Sequence, residues 1–137
     1  MVTRIVGICL VRNEENFALW ALGNALDFCD EILVIDNFSS DRTYPLLERF
    51  AAANPKVRLI RDANASGTNA YIQEYIGQDV WLFGIDGDEI YDREGLARFR
   101  ARLLAGEFAA YFADRAILTF LLLSHEGDQK LRLSDQY

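Results

Sequence analysis

Proline is scarce in this 137-residue chain, occurring only as Pro45 and Pro55. With no low-complexity stretch and no internal repeat, nothing in the sequence reads as an interdomain linker. Cysteine is equally rare: Cys9 and Cys29 lie in or beside apolar segments and lack CxxC spacing. They read as buried free thiols of a reducing compartment. Basic residues are outnumbered, 14 Lys plus Arg against 21 Asp plus Glu, for a formal charge of -7. That balance disfavours a nucleic-acid backbone as a general partner, but leaves open a nucleotide held through a metal. Long apolar runs are also missing. The longest, Ala116 to Leu123, falls far short of the ~20 residues that span a bilayer. Arg4, Arg12, Asn13 and Glu14 interrupt any signal-like stretch at the start. The expectation is a soluble, cytoplasmic protein with no transmembrane segment.

What the chain does have is apolar content, 51% of residues, enough for one core at about the modal domain size. "RIVGICLV" (Arg4 to Val11) is a continuous apolar run rich in β-branched residues, as expected of a strand covered on both faces. From Glu14 to Phe28 the apolar residues recur at roughly helical spacing. The alternation repeats: strand Glu31 to Asp36, helix Tyr44 to Ala53 with Pro45 in its first turn, strand Lys56 to Arg61. A short helix from about Asn69 to Ile76, strand Val80 to Ile85 and helix Arg93 to Leu104 follow. Phe108 to Leu123 reads as one bent strand or two, and Lys130 to Ser134 as a half-exposed last strand. This order predicts an α/β fold: one Rossmann-like, mostly parallel sheet with helices on both faces. Ligands of such sheets bind outside the carboxyl ends of the strands.

Four polar segments fall on that edge: "VRNEE", "DNFSSD", the Asn64 to Thr68 loop and "DGDE", Asp86 to Glu89. Two carboxylates separated by one glycine repel each other across a tight turn, and a hard divalent cation relieves the repulsion. Mg²⁺ or Mn²⁺ on one or two carboxylates, completed by phosphate oxygens and water, is the usual arrangement at a nucleotide diphosphate. A solvated acidic turn is the plain alternative. An EF-hand does not fit the spacing after Asp86, and a haloacid-type phosphatase would need a threonine where Ile90 stands. In "DNFSSDRT", Ser39, Ser40 or Asp41 is expected to cap the next helix. Asp36 and Asn37, at the strand tip, are placed to read a base or ribose.

Taken in order, "VRNEE", "VIDNFSSDRT", "NASGTN" and "WLFGIDGDE" resemble the nucleotide-sugar-binding half of the family 2 glycosyltransferases, which have the GT-A fold. The resemblance covers roughly Val2 to Arg102 and makes residues 1–137 one domain, short in its acceptor-binding part. It implies that Leu10, Val11 and Arg12 border the base, that Asp36 and Asn37 contact base or ribose, and that Asn13 and Glu15 support the first loop. Asp86 would lie against the ribose and near the metal, and Asp88 would be the direct ligand of Mn²⁺ or Mg²⁺. Thr68 stands where similar proteins often carry an arginine near the phosphates. His125 reads either as a polar residue at a strand end or as a further metal or phosphate contact. Glu126 and Asp128 are the candidate bases, with Glu89 as another. The activity implied is inverting transfer from a UDP- or dTDP-type sugar to a glycan or lipid-linked acceptor, as in lipopolysaccharide or other surface-polysaccharide synthesis. A site peripheral to the inner face of the membrane and a homo-oligomer are compatible with it. The alternative is a truncated or inactive nucleotide-sugar-binding module acting with a partner chain. A nucleotidyltransferase would show a basic phosphate loop after the first strand, which "VRNEE" is not.

Overall fold

The computed structural model describes residues 4–64, 67–108, 120–122 and 132–134. Its elements in chain order are β1 (Arg4–Val11), α1 (Ala18–Ala25), β2 (Glu31–Asp36), α2 (Thr43–Ala53), β3 (Val57–Arg61), α3 (Gly67–Gln73), β4 (Val80–Asp86), α4 (Arg93–Leu104), β5 (Phe120–Leu122) and β6 (Arg132–Ser134). The first four strands form one sheet in the order β3-β2-β1-β4, and every pairing within it is parallel. β5 and β6 pair antiparallel in a separate two-stranded sheet.

Parallel strands joined by crossovers are covered on both faces, which is why these strands are apolar throughout rather than alternating. On one face Ile5, Cys9 and Val11 of β1 pack with Ile32 and Val34, with Phe83 and Ile85, and with α1, α2 and α4 through Leu22, Leu47 and Phe99. Phe28 contributes an edge-on contact to Phe83 with ring centroids 4.7 Å apart. On the other face Val6, Ile8, Leu33, Ile35 and Leu82 are covered by Ile72 of α3 and by Tyr75. β1 is central and has no side-chain-free surface to spare: a Cβ on Gly7 would lie 2.7 Å from Ile85 Cδ1 and 3.0 Å from Cys29 Sγ. Gly7 is therefore what allows the Phe28–Cys29 segment to close down on the sheet.

The helix expected from Glu14 is helical only over Ala18–Ala25. The residues before it form a turn, with the Phe17 and Ala18 amides donating to the Glu14 carbonyl (3.2 and 2.9 Å) and Phe17 outside helical geometry at φ -123°, ψ -25°. The amides of Glu14 and Glu15 donate to Thr43 Oγ1 (2.8 Å) and Asp41 Oδ2 (3.3 Å) across the edge. At the start of α2 the N-cap residue, Arg42, makes no side-chain cap bond, and the Thr43 amide donates to Asp41 Oδ1 at 2.9 Å. Ser39 and Ser40 are turned to the first loop instead. α4 is capped by Asp92, which accepts from the amides of Glu94 and Gly95. No helix among the described residues is long and apolar enough to cross a membrane.

Both thiols are sealed in the core, Cys9 with no exposed surface and Cys29 with 1%. Burial pushes the Cys9 thiol well above its ordinary value, and the charges of Asp86 and Glu14 add to the effect. Burial likewise pushes Cys29 up to about 12, against the opposing pull of Lys56 and Arg100. Because only the thiolate attacks, neither cysteine is expected to react with Ellman's reagent in the native protein at pH 8, and both are expected to react at once in concentrated urea. Rapid labelling of the native protein would contradict this packing.

Candidate functional site

All four parallel strands deliver their C-terminal ends to one edge. The connection after β1 runs to α1 on one face, while the connection into β4 comes from α3 on the other. The strand order reverses between β1 and β4, the position where ligands of such sheets bind, and the α3 side of that edge is the candidate crevice. Leu10 and Asp86 are Cα partners there. Leu10 faces the α3 side, beyond the reach of that short helix, and is 39% exposed. An exposed leucine beside an exposed aspartate gives the crevice an apolar floor and an acceptor wall. Asn37, half-buried, follows β2 and donates its amide to the Val11 carbonyl at 2.9 Å. Arg12 is exposed at the tip of β1.

Strand alternation sets two of the expected donor residues apart from Leu10. Val11 and Asp36 are register partners on the opposite face from Leu10, with 2% and 0% exposure. Val11 packs in the core and the Asp36 side chain is buried among groups of the edge. The Asp36 carboxylate is fully engaged. Ser39 donates to it through Oγ (2.5 Å to Oδ1) and through its amide (3.2 Å to Oδ2). Arg61, its register partner on β3, places Nε 3.2 Å from Oδ2. The Arg61 guanidinium is further held by the Ser39 carbonyl at 3.2 Å and by the rings of Phe38 and Tyr44, 4.8 and 4.3 Å from its centre.

From this hub the first two loops are latched to one another. Ser39 Oγ accepts from the Asn13 amide at 2.9 Å, and Asn13 Oδ1 accepts from the Ser40 amide at 2.8 Å. Glu15 Oε2 accepts from the Arg42 amide (2.9 Å) and Nε (3.1 Å); the Arg42 contacts hold the Glu15 carboxyl below its ordinary range. Asn13 and Glu15 thus brace the loops. Asn13 takes φ 56°, a left-handed conformation that its short polar side chain tolerates, whereas Phe38 takes φ 47°. For a bulky residue that conformation costs roughly 1–2 kcal/mol. The Arg61 stacking and the surrounding hydrogen bonds hold it in place.

At the end of β4, Asp86 and Asp88 are exposed on either side of the buried Gly87, and the Glu89 amide closes the turn onto the Asp86 carbonyl at 3.2 Å. The Tyr91 hydroxyl lies 3.1 Å from Glu89 Oε2 and 3.4 Å from the Gly84 carbonyl. Burial and the Glu89 charge together push that phenol well up, so it stays a donor. Among the described residues no group of three or more His, Cys, Asp or Glu side chains converges on a metal position. Two exposed carboxylates fit an ion that takes its remaining ligands from phosphate oxygens and water. Thr68 belongs to the α3 backbone, but its side chain lies outside the described residues, as do His125, Glu126 and Asp128.

The pattern that defines glycosyl transferase family 2 matches residues 7–117. The chain belongs to that family. An uncharacterized glycosyltransferase of Rickettsia conorii is 27% identical over 139 residues, covering 97% of this chain and 45% of that protein. One from Rickettsia typhi is 28% identical over 136 residues, covering 95% and 42%. The chain therefore spans less than half the length of these relatives. Among solved structures, S. aureus TarS 1–349 superposes with a TM-score of 0.60 at 18% identity, over 77% of this chain and 33% of that one. The same fragment in complex with UDP gives 0.59. At that identity the likeness establishes the fold, the Rossmann-like sheet of GT-A proteins.

Sequence reasoning passed over Arg61, Phe38 and Tyr91. Arg61 had a signal, since a cation at the tip of β3 in register with the β2 aspartate is a ready partner for it. Phe38 had none, because a positive φ in an aromatic is not legible from its type. The hub yields a prediction. Asp36→Ala should lower unfolding stability by about 2–3 kcal/mol, because Ser39 and Arg61 lose a buried, charged acceptor together. Urea denaturation measures it, and a loss under about 0.5 kcal/mol, the scale of a surface substitution, would mean that Asp36 is not the hub.

Proposed function

We propose that the crevice between β1 and β4 binds a nucleotide-diphosphate sugar and that the family's transfer reaction takes place at its mouth. The observation that carries this reading is the register pair Leu10–Asp86 at the point where the strand order reverses. It sets an apolar surface for a base beside a carboxylate for ribose hydroxyls, with a second carboxylate, Asp88, two residues on. The choice of a uridine donor as the first probe is supported by TarS, a fold neighbour solved with UDP.

In this reading the base lies on Leu10 and beside Arg12, and the Asn37 amide oxygen accepts from the N3–H of uracil or thymine. Asp86 accepts from the ribose. Asp88, with Asp86 nearby, would hold Mn²⁺ or Mg²⁺. Bound there, the ion supplies charge neutralisation for the departing diphosphate. A carboxylate removes the proton of an acceptor hydroxyl, which attacks the anomeric carbon from the face opposite the diphosphate and inverts it. Glu126 and Asp128 are the proposed bases. Glu89 is less suited, because its carboxylate is already engaged by the Tyr91 hydroxyl. The proposed acceptor is a glycan or lipid-linked glycan.

Calorimetry with UDP- and dTDP-sugars, with and without Mn²⁺, tests the donor site. Binding is expected only with the ion present, and Asp88→Ala is expected to weaken it at least about tenfold, or about 1.4 kcal/mol. A folded protein that binds no nucleotide under either condition would overturn the reading. A second expectation concerns Asn37: Asn37→Ala should weaken UDP more than it weakens CDP, since cytosine has no N3–H to offer. Equal losses would remove Asn37 from the base contact.

A further inference from the structure

Gly87 is the one residue of the "DGDE" turn that is buried, and no exotic backbone angle explains it. Among the described glycines the left-handed ones are Gly77 and Gly106, so Gly87 is not required for its conformational freedom. What constrains it is room. A Cβ on Gly87 would lie 3.0 Å from Val11 Cγ1, 3.3 Å from Glu14 Cγ and 3.6 Å from Glu14 Cβ. Val11 is 2% exposed and its methyl has little freedom to withdraw. The stem of Glu14, whose amide is fixed to Thr43 Oγ1 at 2.8 Å, belongs to the loop latched to the end of β2. The turn after β4 is thus seated, through its missing side chain, against the end of β1 and the loop that follows it.

We infer that Gly87 is a positioning residue: its lack of a side chain sets the span between the nucleoside end of the crevice, Leu10 and Asn37, and the carboxylate of Asp88. This rests on the donor-site reading above. Asp88 follows Gly87 directly, so a displacement of the turn away from Val11 and Glu14 carries it along, whereas Asp86, the register partner of Leu10, is held in the sheet. Leu10 and Asn37 are anchored in the sheet and by the Asn37 amide to Val11 carbonyl bond, and they stay where they are. A nucleoside diphosphate bridges the two ends and senses the change. A nucleoside alone touches only the first end and does not.

The test compares UDP with Mn²⁺ against uridine, by calorimetry and ligand-detected NMR, in four proteins: the unaltered chain, Gly87→Ala, Val11→Ala and the double variant. Val11→Ala removes the methyl nearest the new one, so the double variant exchanges one methyl for another across the same contact. Gly87→Ala is expected to weaken UDP–Mn²⁺ binding about five- to tenfold, the scale of a methyl forced into a filled contact, with uridine binding unchanged. The double variant is expected to bind UDP–Mn²⁺ as Val11→Ala does. Unchanged UDP binding in Gly87→Ala overturns the inference, as do equal losses for UDP and uridine or a double variant no better than Gly87→Ala. Those outcomes leave the donor site standing. Absence of UDP binding in the unaltered chain overturns both. A Gly87→Ala protein that does not fold, beside a folded double variant that binds UDP–Mn²⁺ as Val11→Ala does, supports it.

Discussion

One carboxylate without exposed surface organises the ligand edge. Asp36 ends β2, accepts twice from Ser39 and pairs with Arg61 at the end of β3. Hydrogen bonds to a charged group are worth more than neutral ones, roughly 1.5–3 kcal/mol, and here they fix a loop rather than a ligand. Ser39 passes the constraint to Asn13 on the β1 loop, and Arg61 passes it to the rings of Phe38 and Tyr44. Three strand ends are thereby held together by a group that never meets solvent.

The framework was readable from pattern alone because its determinants are local. β2 and α4 have the bounds expected of them, Glu31–Asp36 and Arg93–Leu104, since each is delimited by its own apolar run and its own polar flanks. What pattern could not show is which way a strand-tip side chain points. In strands buried on both faces, apolar residues occupy consecutive positions, so the alternation that would set Leu10 apart from Val11, and Asn37 apart from Asp36, leaves no mark. The shortened α1 has the same kind of cause. The chain leaves helical geometry at Phe17, in a segment whose amides bond Asp41 and Thr43, partners 26 to 29 positions away, and a window of local sequence does not contain them. The turn at Asp86 to Glu89 was legible as a feature, while the reason for its glycine lay in Val11 and Glu14.

The edge has two mechanical parts. The loops after β1 and β2 exchange hydrogen bonds in both directions and behave as one body. The turn after β4 meets that body by packing, with Gly87 against Val11 and Glu14. In the proposed donor site this would divide the labour, the braced part reading the base, which demands fixed geometry, and the seated part meeting the phosphates and their ion.

The reciprocal bracing has a further cost in available donors. The amides of Asn13, Glu14 and Glu15, at the entrance to α1, are all committed to side chains of the neighbouring loop. In many nucleotide-binding sheets the corresponding amides cradle phosphate directly. Arg61 and Arg42 are committed as well, to Asp36 and Glu15. These donors are spent on rigidity, and what the edge turns toward the crevice from β4 is carboxylate. In the proposed donor site, an edge with this charge would favour a nucleotide already neutralised by a cation over a bare anionic one.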